Sequence, residues 1–328
     1  MSRIALSRRR SWAALAVCAL SLVTPWAQAA YPEQPIKMVV AYSAGGGTDI
    51  VARLLAQTMQ KYLGANASVV VVNRPGAGGA IGFAEVAGAR PDGYTIGFIN
   101  TPNVLTIPIE RKSNFHWQNF DLLGNIVDDP GNFSVHADTP IKSMSELIAY
   151  AKANPGTVTY GSTGIGSDDH LAGLMVERAA GVKLTHVPFK GSAEVHNAIA
   201  SKQIVVAAMN IGEALQYQKG GTPLRHLGQM SEKRSSLAPQ VPTFKEQGIP
   251  VIMASLRGVA APKGLPAPVR EQLVQAIQKA VADPEFQAKA VSTFAPLRYL
   301  DPVSYAAELK ESEDGFKALW QIMPWTDK

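Results

Sequence analysis

The chain has 328 residues, 46% of them hydrophobic and 17% charged, with a formal net charge of +5. Four of its cations, Arg3, Arg8, Arg9 and Arg10, stand in the first ten residues, so the remainder is close to neutral, and with no basic run nucleic acid is excluded as a partner. The only cysteine, Cys18, lies in an N-terminal apolar run, which excludes disulfides and cysteine-bound metal from the rest of the chain.

The N-terminus reads as a secretory signal over residues 1–29. A basic start is followed by the apolar run Ala13 to Val23 and by Ala27-Gln28-Ala29, the small-x-small pattern of a cleavage site. The run is shorter than the roughly 20 residues that span a bilayer. Ser7-Arg8-Arg9-Arg10-Ser11-Trp12 also resembles a twin-arginine signal, so both the Sec and Tat routes stay open. Val17 stands before Cys18 where a lipid anchor wants a small residue. The remaining length suits two domains at about 100–200 residues each.

After the signal, Ile36 to Ala41 is apolar and β-branched, the pattern of a buried strand. Ser43-Ala44-Gly45-Gly46-Gly47-Thr48-Asp49 breaks it, and Val51, Leu54, Leu55, Met59 and Tyr62 then recur at helical spacing. Ser68 to Val72 and Tyr94 to Asn100 read as two more strands, with a glycine-rich stretch and a helix between them. Such alternation predicts a mostly parallel sheet. A second series begins near Asn132. Its strands are Phe133–His136, Val158–Tyr160, Leu184–Val187, Ile204–Met209 and Leu224–Gln229, with helices between them. The first of these helices opens on the capping box Ser143-Met144-Ser145-Glu146. Val251 to Ala261 looks extended, and helices from Pro268 and Pro302 close the chain. These helices lack strands of their own and are expected to pack back on the first lobe. The fold expected is α/β with two lobes. Residues 30–128 plus 230–328 form one lobe and 129–229 the other, and the chain crosses near Asp128 and near Met230.

Two loops carry candidate chemistry. Tyr42 to Asp49 joins a strand to a helix, and its glycines let backbone N–H groups approach a ligand. The helix N-terminus beyond adds free donors and partial positive charge, which suits a carboxylate. An ordinary strand-to-helix turn capped by Thr48 would look the same. Gly161 to His170 repeats the arrangement in the second series. In parallel sheets ligands bind beyond the carboxyl ends of the strands, so the loops could face each other across a cleft. Gly76 to Gly82 fails as a dinucleotide fingerprint because Ile81 replaces the third glycine. There is no phosphate loop, no Gly-x-Ser-x-Gly elbow and no His-x-x-x-His pair. His170, at a helix start, suits a structural hydrogen bond, and Asp168-Asp169 suits the helix dipole.

In this order the loops resemble those of the Bug-type (TctC-like) substrate-binding proteins of tripartite tricarboxylate transporters. The pieces that carry the resemblance are YPEQPIKMVVAYSAGGGTDIVARLLA, VVVVNRPGAGGAIGFAEVAGARPDGYTI, YGSTGIGSDDHLAGLMVE, VPFKGSAEV, VPTFKEQGIP and GVAAPKGLPAPV. The resemblance implies a periplasmic solute-binding protein of the type II-like kind, its lobes joined by two crossing strands and closing over a small organic acid. It implies a monomer without cofactor, metal or catalysis, which delivers its ligand to a membrane permease. By position it assigns Tyr42, Ser43, Gly46, Gly47, Thr48 and Asp49 to the first loop, with Asn100 and Thr101 after the third strand. From the second lobe it assigns Ser162, Thr163, Gly166, Ser167 and Asp168, then Phe189 and Lys190.

Three residues depart from the family pattern. Asp168 stands where a hydroxyl is usual, Asn210 where an aspartate is common, and Arg257 where an aromatic often precedes the last strand. Asn210 offers both donor and acceptor. Arg257 could fork onto a ligand carboxylate or tie the lobes together. The alternatives are a ligand sensor for a signalling system and an enzyme on the same fold using His170 or Asp168.

Overall fold

Valine- and isoleucine-rich runs fold as strands alternating with helices in the computed structural model, which describes residues 31–326. The signal peptide read over residues 1–29 lies outside them. The first half runs β1 (Ile36–Val40), α1 (Gly47–Leu63), β2 (Val69–Asn73), α2 (Ala80–Ala87), β3 (Thr95–Asn100) and α3 (Asn103–Glu110). Strand β1 lies parallel to β2 on one side and β3 on the other, buried on both faces as its continuous apolar run requires.

Next comes β4 (Phe120–His136), whose 17 residues serve both halves. The second half follows as α4 (Met144–Ala153), β5 (Thr159–Ser162), α5 (Asp168–Ala180), β6 (Thr185–Pro188), α6 (Ser192–Ala200), β7 (Val206–Asn210), α7 (Ile211–Lys219) and β8 (Leu224–Gln229). Strand β5 lies parallel to β6 and β7. The chain then returns through β9 (Ala254–Pro262), α8 (Ala267–Ala282), α9 (Pro284–Ser292), β10 (Leu297–Leu300) and α10 (Pro302–Ile322). The strand order is β2-β1-β3-β9-β4-β7-β5-β6, with β8 and β10 also paired to β4.

The two lobes meet along β4. From Phe120 to Pro130 it pairs with β9, and from Gly131 to Val135 with β7. Each lobe has its own apolar cluster, one around Val39, Phe98 and Ile126, the other around Phe133, Tyr160 and Val206.

The junction is a three-way contact. Met230 N–H donates to Gly131 O at 2.8 Å, Gly131 N–H to Met253 O at 2.8 Å, and Met253 N–H to Met230 O at 3.0 Å. A Cβ on Gly131 would stand 2.8 Å from Met230 Sδ, so glycine permits this approach. The segment from 231 to 252 therefore leaves the junction and returns to it. Its Phe244, Ile249 and Val251 pack in the second cluster, and Phe244 meets Phe133 edge-on at 5.4 Å. Such an aromatic pair adds about 0.5–1.5 kcal/mol beyond burial. By packing, Met253 still belongs to the second cluster and Leu256 to the first, so the chain returns between them, later than the Met230 expected from sequence.

The C-terminal region differs from expectation in two ways. It does contain a strand: β10 pairs antiparallel with β4 through Leu297 and Val127, and Leu300 and Asn125. Helices α8 and α9 pack on the first lobe through Leu273, Ile277 and Phe286. Helix α10, opened by Asp301 accepting from the Val303 and Ser304 N–H groups, instead straddles both lobes. Tyr305 and Leu309 join the first cluster, while Leu319, Trp320 and the following Trp325 pack on the second.

Candidate functional site

The carboxyl ends of β1, β3 and β7 and the start of α5 converge on one small cavity. Its walls include Tyr42, Gly46, Gly47, Thr48, Asn100, Thr163, Asp168, Asn210 and Arg257. Its volume is about 20 Å³, the room of about one water, so a solute enters only if the lobes part.

Arg257 is the centre of the site. The register sets it opposite Asn100 of β3 on one side and Val127 of β4 on the other. It is 2% exposed, yet surrounded by charge. Its Nη2 donates to Asn210 Oδ1 at 3.0 Å and to Glu213 Oε1 at 3.1 Å, and lies 3.2 Å from Asp129 Oδ2. A buried guanidinium needs such partners, because removing a charge from water costs several kcal/mol. Arg257 thus ties the lobes together.

Glu213 Oε1 also accepts from Gly47 N–H at 3.0 Å, at the first position of α1. The helix N-terminus and Arg257 together hold a carboxylate supplied by the opposite lobe. Gly47 is needed for this approach, since a Cβ there would lie 2.4 Å from both Arg257 Nη1 and Glu213 Oε1. Gly46 is constrained in the same way by Ser192 Oγ at 2.8 Å. Three more bonds cross the cleft. Ser43 Oγ donates to Glu194 Oε1 at 2.5 Å, Tyr217 Oη to Gly45 O at 3.1 Å, and Thr106 Oγ1 to Gly166 O at 2.7 Å.

Asn210 joins the acidic groups. Its Nδ2 donates to Asp168 Oδ2 and to Asp129 O, both at 2.7 Å. Burial pushes the Asp129 carboxyl up to about 7 and the Asp168 carboxyl up to about 6, despite the charge of Arg257 nearby.

Several residues expected at the ligand turn their side chains elsewhere. Asp49 accepts from Arg53 Nε and Nη2, Asn73 Nδ2 and Gly45 N–H, each at 2.9 Å, so it fastens its own loop. Thr101 stitches β3 to β9, its Oγ1 accepting from Leu256 N–H at 2.9 Å. Ser162 Oγ lies 2.6 Å from His186 Nε2 beneath the second loop. Ser167 caps α5 by accepting from His170 N–H at 3.2 Å. Gly166 supports the loop with a positive φ of 76°. Phe189 packs against the cluster of Val195 and Ile199 under α6, and Lys190 is exposed. None of these lines the cavity. Thr48 and Asn100 do, joined to each other at 2.8 Å.

His170 also lies behind the loop. Its Nδ1 accepts from Gly166 N–H at 3.1 Å, its ring stacks on His186 at 4.0 Å, and burial lowers its pKa to about 3. It is a neutral structural group.

Sequence reasoning missed Glu213, Asp129, Asn103, Ser192 and Ser255. Only Glu213 had a legible signal, the Asn210-x-x-Glu213 spacing of a helix start. Its backbone half is present, with Asn210 N–H donating to Glu213 Oε2 at 3.3 Å.

Comparison with known proteins agrees with this architecture. Over 316 residues the chain is 36% identical to the UPF0065 protein in gbd 5'region of Cupriavidus necator, covering 94% of each. The structure of the periplasmic binding protein BugD superposes with a TM-score of 0.84 at 33% identity, covering 91% of this chain and all of that one. R. palustris Rpa4515 with adipate superposes at 0.83 with 26% identity, covering 89% and 97%. BugD is a periplasmic binding protein, and Rpa4515 was solved with adipate. Residues 51–297 match the family described as tripartite tricarboxylate transporter family receptor, and the chain belongs to that family.

Proposed function

We propose that this protein is an extracytoplasmic receptor that closes its lobes over a small organic acid and hands it to a tripartite tricarboxylate-type permease in the membrane. The observation that carries the reading is the clasp around Glu213. Gly47 N–H at 3.0 Å and Arg257 Nη2 at 3.1 Å already hold one carboxylate oxygen, so this corner of the cleft is built for that chemistry. A solute carboxylate takes the same place when the lobes reclose around it. Gly46, Thr48, Thr163 and Asn210 shape the cleft around it, and the loop of Ser43 and Asp49 positions the α1 N-terminus. The adipate seen with Rpa4515 supports the ligand class. The basic, apolar and small-residue regions of residues 1–29 support export and periplasmic location.

The test is a thermal-shift screen of organic acids beside their amides. A ligand at 100 times its Kd stabilises by about 2.7 kcal/mol. A rise for one acid class, absent for its amide, supports the reading. A response confined to compounds without a carboxylate overturns it.

A further inference from the structure

The cleft holds more negative charge than a receptor for a plain anion needs. Among the described residues Arg257 is the only cation on its walls, and Glu213 and Asp129 already engage it. Asp168 is a third carboxylate. It is 4% exposed, lines the cavity, and takes its side-chain hydrogen bond from Asn210 Nδ2 at 2.7 Å. Among the described residues no cationic side chain pairs with it directly. Arg257 lies near enough to favour its charge but is bonded to Glu213 and Asp129, and a buried carboxylate bonded only to an amide is held at a cost.

Two further groups on the same wall lack partners. Asn100 is 4% exposed and Asn103 is 2% exposed. Asn100 Nδ2 donates to Thr48 Oγ1 at 2.8 Å, which leaves its Oδ1 as a buried acceptor without a donor. Asn103 Nδ2 is a buried donor without an acceptor. Buried polar atoms are nearly always paired, so unpaired ones on a binding wall point to atoms a ligand supplies. The two kinds are both present: acceptors in Asp168 and Asn100, donors in Asn103, Arg257 and the α1 N-terminus. An ammonium carries three donors and no acceptor; an ionised carboxylate accepts only.

We propose that the solute carries a positively charged nitrogen as well as its carboxylate, and that Asp168 is the counter-ion of that nitrogen. This rests on the carboxylate reading of the same cleft. A plain acid adds a negative charge beside Asp168, Asp129 and Glu213. The matching amino acid brings one negative charge fewer, and its ammonium supplies the missing partner. Sites built to hydrogen-bond a ligand group reject analogues lacking it, because their own groups are then left unpaired.

Calorimetric titration of the purified protein with matched probes tests this. The pairs are succinate and aspartate, glutarate and glutamate, adipate and 2-aminoadipate. The amino member is expected to bind at least about tenfold tighter in the best pair. Asp168→Asn keeps the shape and removes the charge. It is expected to erase that preference by weakening the amino member. Asp168→Ser is expected to do the same. The wild-type comparison stands even if a variant fails to fold. Equal or tighter binding of the plain acids by the wild-type protein, or a preference that survives both variants, overturns the inference and leaves the carboxylate reading in place. Silence toward every acid, amino or plain, overturns both.

Discussion

The β1–α1 loop and the β5–α5 loop look alike in sequence, each a run of small and hydroxyl residues between a strand and a helix. In the structure they do opposite things. The first presents Gly47 N–H to the cleft, where it holds a carboxylate. The second turns its hydroxyls inward: Thr163 Oγ1 to Asp169, Ser162 to His186, Ser167 to the α5 backbone. What it presents is Asp168. One lobe offers donors and the other a negative charge. Loop composition alone does not reveal the sign of a site; that depends on which groups the loop has already paired with itself.

The contrast can be broken most severely at Arg257, which joins the two sides. Arg257→Ala leaves Asp129 and Glu213 as buried carboxylates without a cation, and a loss of about 3–5 kcal/mol in folding stability is expected. Urea denaturation measures it, and a loss below 1 kcal/mol would mean that the clasp does not form in solution. Gly47→Ala acts on one side only. Its backbone tolerates alanine, but the added carbon collides with Arg257 and Glu213, and overpacking costs about 1–3 kcal/mol. The closed state bears that cost. Small-angle scattering is expected to show a more open molecule, and titration a weaker ligand.

Acidity sharpens the comparison more gently. Asp129 and Asp168 have folded pKa values above their unfolded ones, at about 7 and about 6, so the folded chain holds more protons than the unfolded chain up to those values. Their contribution is present at low pH and lost as pH rises through 6 to 7. His170 and His226, lowered by burial to about 3 and about 4, work the other way below the ordinary histidine range. Melting temperature is therefore expected to rise as pH falls from 8 toward 6.5 and to level off below. Asp129→Asn is expected to flatten the rise, because its carboxyl is the one that gains a proton in that window, and an unchanged slope would remove Asp129 from this account. Last comes Lys190→Ala. The side chain is exposed and away from the cavity, so affinity is expected to change by no more than about twofold in the same titration.

Much of this architecture was legible because burial writes itself into periodicity. The apolar runs of β1, β3 and β7 and the caps at Ser143 and Asp301 all announce themselves. Strand β10 did not, since Leu297–Leu300 is four residues long and carries an arginine. Tyr42, just after β1, and Asn100, at the end of β3, follow from strand ends, whereas the direction of a loop side chain does not. Asp49, Ser162 and Phe189 sit in loops around the cavity but turn their side chains away from it, because local hydrogen bonds or packing hold them. Asp129 and Glu213 were hidden for a different reason: their role exists only where the lobes meet, and no local pattern encodes a meeting of distant segments.

The straddling α10 gives the molecule an optical reporter. Among the described residues the tryptophans are Trp117, Trp320 and Trp325, and all three sit on or beside this helix. Trp117 Nε1 donates to Glu313 Oε2 at 3.0 Å, and Trp320 meets Trp325 nearly edge-on at 4.7 Å. The helix is anchored by Tyr305 on one lobe while the indole of Trp325 is buried in the other. Any change in the angle between lobes must alter the surroundings of that indole. Emission wavelength and quenching of the native fluorophores then follow opening and closing in real time, without a label.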